Sequence, residues 1–151
     1  MKTITTTLCA ILITASAAFA TSMYIDNNDK PIDYDKLPAK AKSLIQENFA
    51  GEELSHIIYD NDVISSDYTV SFLSGTKLEF NGNGEWTEID CGKASVPQAF
   101  IPQQIVAYVE KNHPGRTITE IKREHGHTEI KLNGGFELTF NSRYRVVDVD
   151  D

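Results

Sequence analysis

The stretch Gly75-Thr76-Lys77-Leu78-Glu79-Phe80-Asn81 returns near the end of the chain as Gly135-Phe136-Glu137-Leu138-Thr139-Phe140-Asn141. In both copies a leucine and a phenylalanine stand two residues apart among mostly polar neighbours, the period of a strand with one buried face. The shared glycine and asparagine on either side are typical turn residues. The sequence therefore contains the same half-buried strand twice.

The duplication extends over most of the chain. Leu37-Pro38 matches Ile101-Pro102 at an offset of 64, whereas Ile89-Asp90 matches Val149-Asp150 at an offset of 60. The change of offset places extra residues of the first copy between positions 60 and 68. Since one lengthened hairpin in a duplicated unit explains this, we predict two repeats, over 34–91 and 92–151.

Each repeat opens with a predicted helix. Pro38 and Pro102 suit the first helical turn, and Gly51 and Gly115 suit the left-handed residue after a helix end. Between these markers apolar residues recur at helical spacing, so one face of each helix is expected to be buried. The stripes are Ala41, Leu44, Ile45 and Phe49 in the first repeat and Ile105, Tyr108, Val109 and His113 in the second.

Four strands are predicted after each helix. Short loops join them, which favours antiparallel pairing because parallel neighbours need a crossover of about a dozen residues. The fold class is α+β, a tandem duplication of a helix plus a four-stranded antiparallel sheet. The predicted strands lie near 53–60, 67–73, 76–81 and 85–90, and near 117–124, 127–133, 135–141 and 144–149.

Alternation along the strands assigns residues to two faces. One face is expected to meet the helices, and the other is expected to be open to solvent. The helix-side residues are Tyr68, Val70, Phe72, Leu78, Phe80, Thr87 and Ile89, then Ile130, Leu132, Leu138, Phe140, Val147 and Val149. The open-face residues are Thr69, Ser71, Lys77, Glu79, Trp86 and Glu88, then Glu129, Lys131, Glu137, Thr139, Tyr144, Val146 and Asp148.

Residues 1–20 have the pattern of a secretory signal peptide. Lys2 precedes a short apolar run, and Ala18-Phe19-Ala20 has the small-residue pattern of a cleavage site. The run is shorter than the roughly 20 residues that span a bilayer. We therefore expect cleavage near Ala20, a periplasmic or secreted mature protein without membrane insertion, and a polar lead-in over 21–33.

Charge and cysteine content narrow the function classes further. The net charge of −8 repels phosphate backbones and argues against nucleic acid, while favouring basic partners. Because Cys9 lies in the signal peptide, Cys91 alone would remain and no intramolecular disulfide could form. We expect its thiol to be buried, with an intermolecular disulfide as the alternative. Open edge strands would favour a homodimer.

A family resemblance rests on Leu37-Pro38, the strand 67–72, the run 75–81 and the segment 84–91, with Val96-Pro97 and the second repeat. Over about residues 34–151 the chain resembles the beta-lactamase-inhibitor-like, PepSY-like family of secreted proteins from gut Bacteroidetes. The resemblance implies that the two sheets join into one continuous eight-stranded sheet with the helices on one face. Inhibitors of that shape grip an enzyme with one sheet face, and the PepSY name suggests restraint of peptidases.

Catalytic motifs are not found in the sequence. It holds no G-x-S-x-G, no H-E-x-x-H and no cysteine with a motif-supported histidine. A carboxylate pair such as Glu129 and Glu137 is expected by chance in a chain with 22 acids. We predict that the protein is not an enzyme and carries no cofactor.

The predicted function is a non-catalytic exported binding module that engages, and inhibits or regulates, a protein partner through the open sheet face. Aromatic side chains among charges are typical of protein-binding surfaces. The alternative for Trp86 is packing on a neighbouring strand or on the connection 91–101. Because Tyr144 and Val146 replace the glycine-rich turn and Trp86 in the second repeat, unequal function of the repeats is expected. The predicted partner-binding residues are Trp86, Tyr144, Val146, Lys77, Glu79, Lys131 and Glu137.

A rival function is a metal or small-ligand sensor of the cell envelope. His125 and His127 flank Gly126 and, on one strand, would share a face as zinc or copper ligands do, with Glu124 or Glu129 as a third ligand. The alternative is that both histidines lie at a solvent-exposed hairpin tip and bind no metal. The lengthened loop holds Asp60, Asp62 and Asp67, which suit calcium but lack the glycine and final glutamate of a helix–loop–helix site.

Overall fold

The computed structural model describes residues 29–62 and 65–150, so the predicted signal peptide lies outside the described residues. Two helices form, Ala39–Asn48 (α1) and Gln103–Asn112 (α2), with short 3-10 turns at Tyr34–Lys36 and Gln98–Phe100. The strands are Lys30–Pro31 (β1), Leu54–Asn61 (β2), Ser66–Phe72 (β3), Lys77–Asn81 (β4), Trp86–Asp90 (β5), Ile118–Glu124 (β6), His127–Leu132 (β7), Glu137–Phe140 (β8) and Val146–Asp150 (β9).

All these strands form a single antiparallel sheet in chain order from β1 to β9. The last strand of the first repeat pairs with the first strand of the second, with Ile89 opposite Ile121. The predicted duplicated α+β fold with a continuous sheet is therefore confirmed. The sheet has one strand more than expected, because Lys30 and Pro31 of the lead-in pair with Tyr59 and Ile58.

The core is built on one row of directly opposed apolar residues that crosses the sheet from β2 to β9. Its members are Ile57, Val70, Leu78, Ile89, Ile121, Ile130, Leu138 and Val149. All except Val149 are buried, and Ala41, Ile45, Ile105 and Val109 of the helices belong to the same core. Burying each large aliphatic side chain contributes about 1.5–3 kcal/mol, so this row and the two helix stripes stabilise the fold.

The prolines and glycines predicted to flank the helices lie at the helix ends, and one glycine differs from the predicted conformation. Pro38 and Pro102 each stand directly before the first helical residue, and Gly115 has a left-handed φ of +80°. Gly51 does not take the left-handed conformation that we expected. The Glu52 N–H still donates to the Phe49 carbonyl and closes the end of α1. The first repeat therefore makes this turn without a left-handed glycine.

The polar members of the helix stripes lie at the edge of the core, as predicted. The Tyr108 ring meets Phe140 edge-on at 5.5 Å between centroids. His113 lies 5.8 Å from the ring of Phe136. Both side chains therefore have packing roles in the second repeat.

Register irregularities occur in four strand pairs of the described sheet, and in two of them, β4–β5 and β8–β9, an equivalent β-bulge overturns the predicted faces. Leu78 opposes Ile89, but Phe80 opposes Trp86, so Thr87 is the extra residue in β5. Directly opposed residues share a face, which places Trp86 on the helix side with Phe80. The expectation that Trp86 lies on the open face is wrong, and so is the helix-side position expected for Thr87, which lines a depression on the open face.

The second repeat has the same irregularity between β8 and β9. Phe140 opposes Val146, and Val147 is the extra residue, 53% exposed. Val146 and Tyr144 pack against the helix-side core, so their expected open-face positions are also wrong. The helix-side burial expected for Val147 is wrong for the same reason, since the bulge shifts the alternation by one residue.

Candidate functional site: the open sheet face

The face of the sheet opposite the helices is built of two further rows of directly opposed residues. We call this surface, together with the neighbouring pairs Asp60–Asp67 and Glu124–His127 on the same side of the sheet, the open sheet face. Of the predicted partner-binding residues, Lys77, Glu79, Lys131 and Glu137 lie on it. One row is His56, Ser71, Lys77, Asp90, Glu120, Lys131, Glu137 and Asp150; the other is Ile58, Thr69, Glu79, Glu88, Lys122, Glu129, Thr139 and Asp148.

Negative charge is concentrated on the open sheet face. Among the described residues it carries eleven carboxylates and three lysines, although the whole chain has 22 acids and 14 basic residues. A surface with one dominant sign of charge attracts partners of the opposite sign. The carboxylates are Asp60, Asp67, Glu79, Glu88, Asp90, Glu120, Glu124, Glu129, Glu137, Asp148 and Asp150; the lysines are Lys77, Lys122 and Lys131.

Two of the lysines each bridge a pair of carboxylates. Lys77 Nζ lies 3.0 Å from Glu79 Oε1 and 2.9 Å from Glu88 Oε1. Lys131 Nζ lies 3.0 Å from Glu120 Oε2 and 3.2 Å from a Glu137 oxygen. Each trio keeps an excess negative charge, and the bridging lysine holds its carboxylates in place.

The raised pKa values of the two bridging lysines have identifiable causes. Burial lowers the pKa of Lys77, but its hydrogen bonds to Glu88 and Glu79 outweigh burial, so the pKa is raised. The pKa of Lys131 is raised by its hydrogen bonds to Glu120 and Glu137. Both lysines therefore keep their positive charge within the bridges at physiological pH.

Two depressions lie on the open sheet face. The first has a volume of about 570 Å³ and is lined by residues of β2 to β6, among them Thr69, Glu79 and Lys122. The second, of about 230 Å³, lies over β6 to β9 and is lined by Glu129 and Asp148 among others. Both are lined mainly by polar side chains, which suits contact with a hydrated, charged partner surface.

Trp86 joins the two repeats on the helix side. Its ring meets Phe100 edge-on at 5.7 Å, and the Arg123 guanidinium carbon lies 3.3 Å from the indole centroid. Arg123 Nη2 also donates to the Trp86 carbonyl at 3.1 Å. Packing of Trp86 on the connection 91–101 is thus confirmed, with a cation–π contact of about 1 kcal/mol. A partner-binding role of Trp86, Tyr144 and Val146 stays a prediction.

The two candidate metal-binding histidines do not share a strand face. His125 and Gly126 form the two-residue turn between β6 and β7, with φ of +48° and +80°, and only His127 belongs to a strand. In the described part of the chain, no three histidine, cysteine or carboxylate side chains are placed to share one metal ion. His125 Nδ1 instead lies 3.4 Å from Glu124 Oε1.

Cys91 is part of the core, 7% exposed, as expected. Burial, with the charges of Asp90 and Glu52 nearby, raises the pKa of its thiol to about 11. The thiol is therefore protonated and shielded at neutral pH, which disfavours the alternative of an intermolecular disulfide.

The duplicated fold agrees with a known family. The model of the putative beta-lactamase-inhibitor-like, PepSY-like family matches residues 14–65 and 66–148, and the chain belongs to this family. No curated protein matches the chain significantly. No helix within the described ranges is long and apolar enough to cross a bilayer.

Three solved structures are similar over most of the chain, each with 34% sequence identity. A putative periplasmic protein of the DUF2874 family from Bacteroides vulgatus has a TM-score of 0.79, with 83% of this chain and 98% of that chain covered. A putative calcium-regulated periplasmic protein from Bacteroides thetaiotaomicron has a TM-score of 0.78, with 82% and 97% covered. A putative periplasmic protein of unknown function from Bacteroides vulgatus has a TM-score of 0.77, with 82% and 99% covered.

Proposed function

We propose that the chain is a non-catalytic periplasmic binding module whose open sheet face docks a basic surface of a protein partner. The observation that carries this proposal is the concentration of carboxylates on the one sheet face that the helices leave uncovered. The periplasmic location of the similar Bacteroides proteins supports the compartment. The inhibitor-like family description supports an enzyme as the partner and its inhibition as the result.

The geometry supports such docking in two ways. Carboxylates on adjacent strands accelerate encounter with a basic partner, and this effect weakens as salt screens charges beyond about 8 Å. The bridges made by Lys77 and Lys131 fix several carboxylates before the partner arrives. Because those side chains are already ordered, less conformational entropy is lost on binding.

The test is capture of a partner from the periplasm of the protein's own cells by three tagged chains. The first is the wild type, and the second is the open-face variant Glu79→Lys, Glu129→Lys. The third is a matched control, Glu47→Lys, Glu110→Lys, which changes the net charge equally on exposed positions of the two helices. We expect the wild type and the control to retain one partner and the open-face variant to lose it.

Two results would contradict the proposal. One is equal capture by all three chains, and the other is loss of capture by the helix control but not by the open-face variant. Thermal unfolding of each chain shows whether any loss reflects misfolding. A fall of affinity with rising salt in the wild type, and a shallower salt dependence in the open-face variant, are the expected accompanying results.

A second candidate function is calcium-dependent regulation. The similar Bacteroides thetaiotaomicron protein is described as a putative calcium-regulated periplasmic protein. In this chain Asp60 lies near the end of β2, Asp62 follows that strand, and Asp67 lies in β3. Since no three carboxylates among the described residues are placed to share an ion, binding would have to draw Asp62 towards the opposed pair Asp60 and Asp67. Calorimetric titration with calcium, and with zinc and copper for His127, tests this candidate. Absence of heat at micromolar to millimolar metal would remove it.

A further inference from the structure

β9 is the longer of the two edges of the described sheet. It pairs with β8 and ends the strand order, whereas the opposite edge, β1, has two residues. Val147 and Val149 on β9 are 53% and 50% exposed. An edge strand of this length presents a row of backbone donors and acceptors on which another strand can pair.

The rows of the sheet end on β9 in a defined pattern. The apolar row that forms the core reaches Val149 through Leu138. The two rows of the open sheet face end at Asp148 and Asp150. An added strand would therefore continue the core with an apolar residue opposite Val149 and place its neighbouring residues against two carboxylates.

A second copy of this chain is a poor occupant of that edge. In antiparallel pairing, directly opposed residues share a face, so β9 pairing with itself about Asp148 sets Asp148 against Asp148 of the second copy. Pairing about Val149 sets Asp148 against Asp150. Directly opposed like charges destabilise a sheet, so both registers disfavour self-association.

We propose that the β9 edge is a strand-addition site for an extended segment of the partner in which lysine or arginine alternates with apolar residues. The basic side chains meet Asp148 and Asp150, the apolar residue continues the row from Val149, and the backbone completes a tenth strand. The inference rests on the proposed function, because Asp148 and Asp150 belong to the open sheet face. Beyond the proposed function, it states that the partner segment is extended and that it binds at the β9 edge.

The test uses the chain without its predicted signal peptide and a labelled, capped peptide, Lys-Val-Lys-Val-Lys. Two control peptides have the same composition: Val-Val-Lys-Lys-Lys, and the alternating peptide with N-methylated valines, which cannot donate to an edge. Fluorescence anisotropy gives the affinities. We expect the alternating peptide to bind at least about tenfold more tightly than either control, a difference of about 1.4 kcal/mol.

Variants then locate the bound peptide. Asp148→Lys, Asp150→Lys on the edge is expected to lose at least about tenfold in affinity, a difference of about 1.4 kcal/mol, while Glu79→Lys, Glu129→Lys loses clearly less. The milder pair Asp148→Asn, Asp150→Asn keeps the comparison valid if charge reversal impairs folding. Slower hydrogen exchange of β9 amides in the complex is the expected structural sign.

Equal affinity for the alternating, reordered and N-methylated peptides would overturn strand addition, and so would an edge variant that binds like the wild type. The proposed function can then be judged separately. If capture of the natural partner still depends on Glu79 and Glu129, docking on the open sheet face holds and strand addition alone fails.

Discussion

The two turns that lead into the last strand of each repeat share one backbone frame and differ in the side chains around it. In the first repeat the Asn81 side chain accepts from the N–H groups of Asn83 and Glu85, both at 3.0 Å. In the second, Asn141 accepts from Arg143 and Arg145 at 2.9 and 3.1 Å. A single asparagine therefore defines the turn in each repeat.

The left-handed position of this turn is where the repeats differ. Gly84 has φ of +75°, and a Cβ there would lie 2.6 Å from the Cβ of Pro38. Tyr144 takes the equivalent position with φ of +54° and packs its ring against the core. The first repeat brings the start of its helix against the turn, whereas the second fills this region with a tyrosine.

The aromatic residue of the first repeat stands two positions further on, at Trp86, where the second repeat has Val146. Both repeats thus place one aromatic side chain beside the turn on the helix side, but at different positions of the backbone. The hydrogen-bonding asparagine of the turn is therefore the same in both repeats, whereas the residues that pack around the turn differ.

The largest predicted effect tests whether the cores of the repeats are equivalent. Phe80 and Phe140 occupy matching positions and are fully buried. Phe80→Ala and Phe140→Ala should each lower the free energy of unfolding by about 3–5 kcal/mol, since each leaves a large cavity. Urea unfolding measures both. A loss below about 1 kcal/mol in either variant would show that the repeats do not contribute equally to one core.

The next largest loss of stability is expected at Gly84, where the backbone of the turn lies close to Pro38. Gly84→Ala should cost about 3 kcal/mol, because it combines a left-handed alanine with a clash against Pro38. Gly135→Ala is the matched control, since Gly135 has φ of +96° with open space around it, and should cost about 1 kcal/mol. If thermal or urea unfolding shows the same loss of stability in both variants, the contact with Pro38 does not contribute to the cost of Gly84→Ala.

A smaller loss of stability is expected when Trp86 or Val146, the matching residues that follow the turn in each repeat, is replaced by alanine. Trp86→Ala should cost about 2 kcal/mol, because the half-buried indole loses contacts with Phe100 and Arg123, and Val146→Ala about 1 kcal/mol. Denaturation followed by circular dichroism measures both. If Trp86→Ala leaves stability unchanged but abolishes partner capture, Trp86 belongs to a binding surface on the helix side instead.

The smallest effect concerns the lysine bridges of the open sheet face. Lys77 contacts Glu88, whose side chain is 10% exposed, whereas the partners of Lys131 are more exposed. Lys77→Met should therefore destabilise more than Lys131→Met, with both losses below about 1 kcal/mol because these pairs are partly solvated.

The pH dependence of the Lys77 bridge has a definite sign. The pKa of Lys77 is raised on folding, so its stabilisation is complete below the ordinary lysine pKa of about 10.4 and is lost as pH rises through the folded value. The stability difference between wild type and Lys77→Met should be constant from pH 7 to 9 and shrink at higher pH. A difference that grows above pH 10 would contradict the assigned bridge.

Much of the fold could be predicted from sequence because the signals are periodic. The alternation around Leu78 and Leu138 and the helical spacing around Ile45 and Ile105 depend on burial, which the structure confirms. Because the unit is duplicated, each periodic pattern occurs twice in the chain. A weak pattern in one repeat was therefore supported by the matching pattern in the other. Strand β1 could not be predicted, because the two residues Lys30 and Pro31 show no alternation.

The faces of β5 and β9 were predicted wrongly for a local reason. A β-bulge inserts one residue and reverses the alternation before it, and strict period-two counting cannot register this. The one available signal was that Trp86 and Val146, at matching positions, are both apolar, while Thr87 and Val147 are not alike. The charge asymmetry of the sheet was missed because it requires cross-strand register, which links residues far apart in sequence.

Carboxyl footprinting of the protein alone and with its captured partner, read residue by residue by mass spectrometry, tests directly whether the partner docks on the open sheet face. We expect Glu79, Glu129 and Asp148 on the open sheet face to lose labelling in the complex, while Glu47 and Glu110 on the helices keep it. Protection of the helix carboxylates, with unchanged labelling of the open sheet face, would contradict docking of the partner on that face.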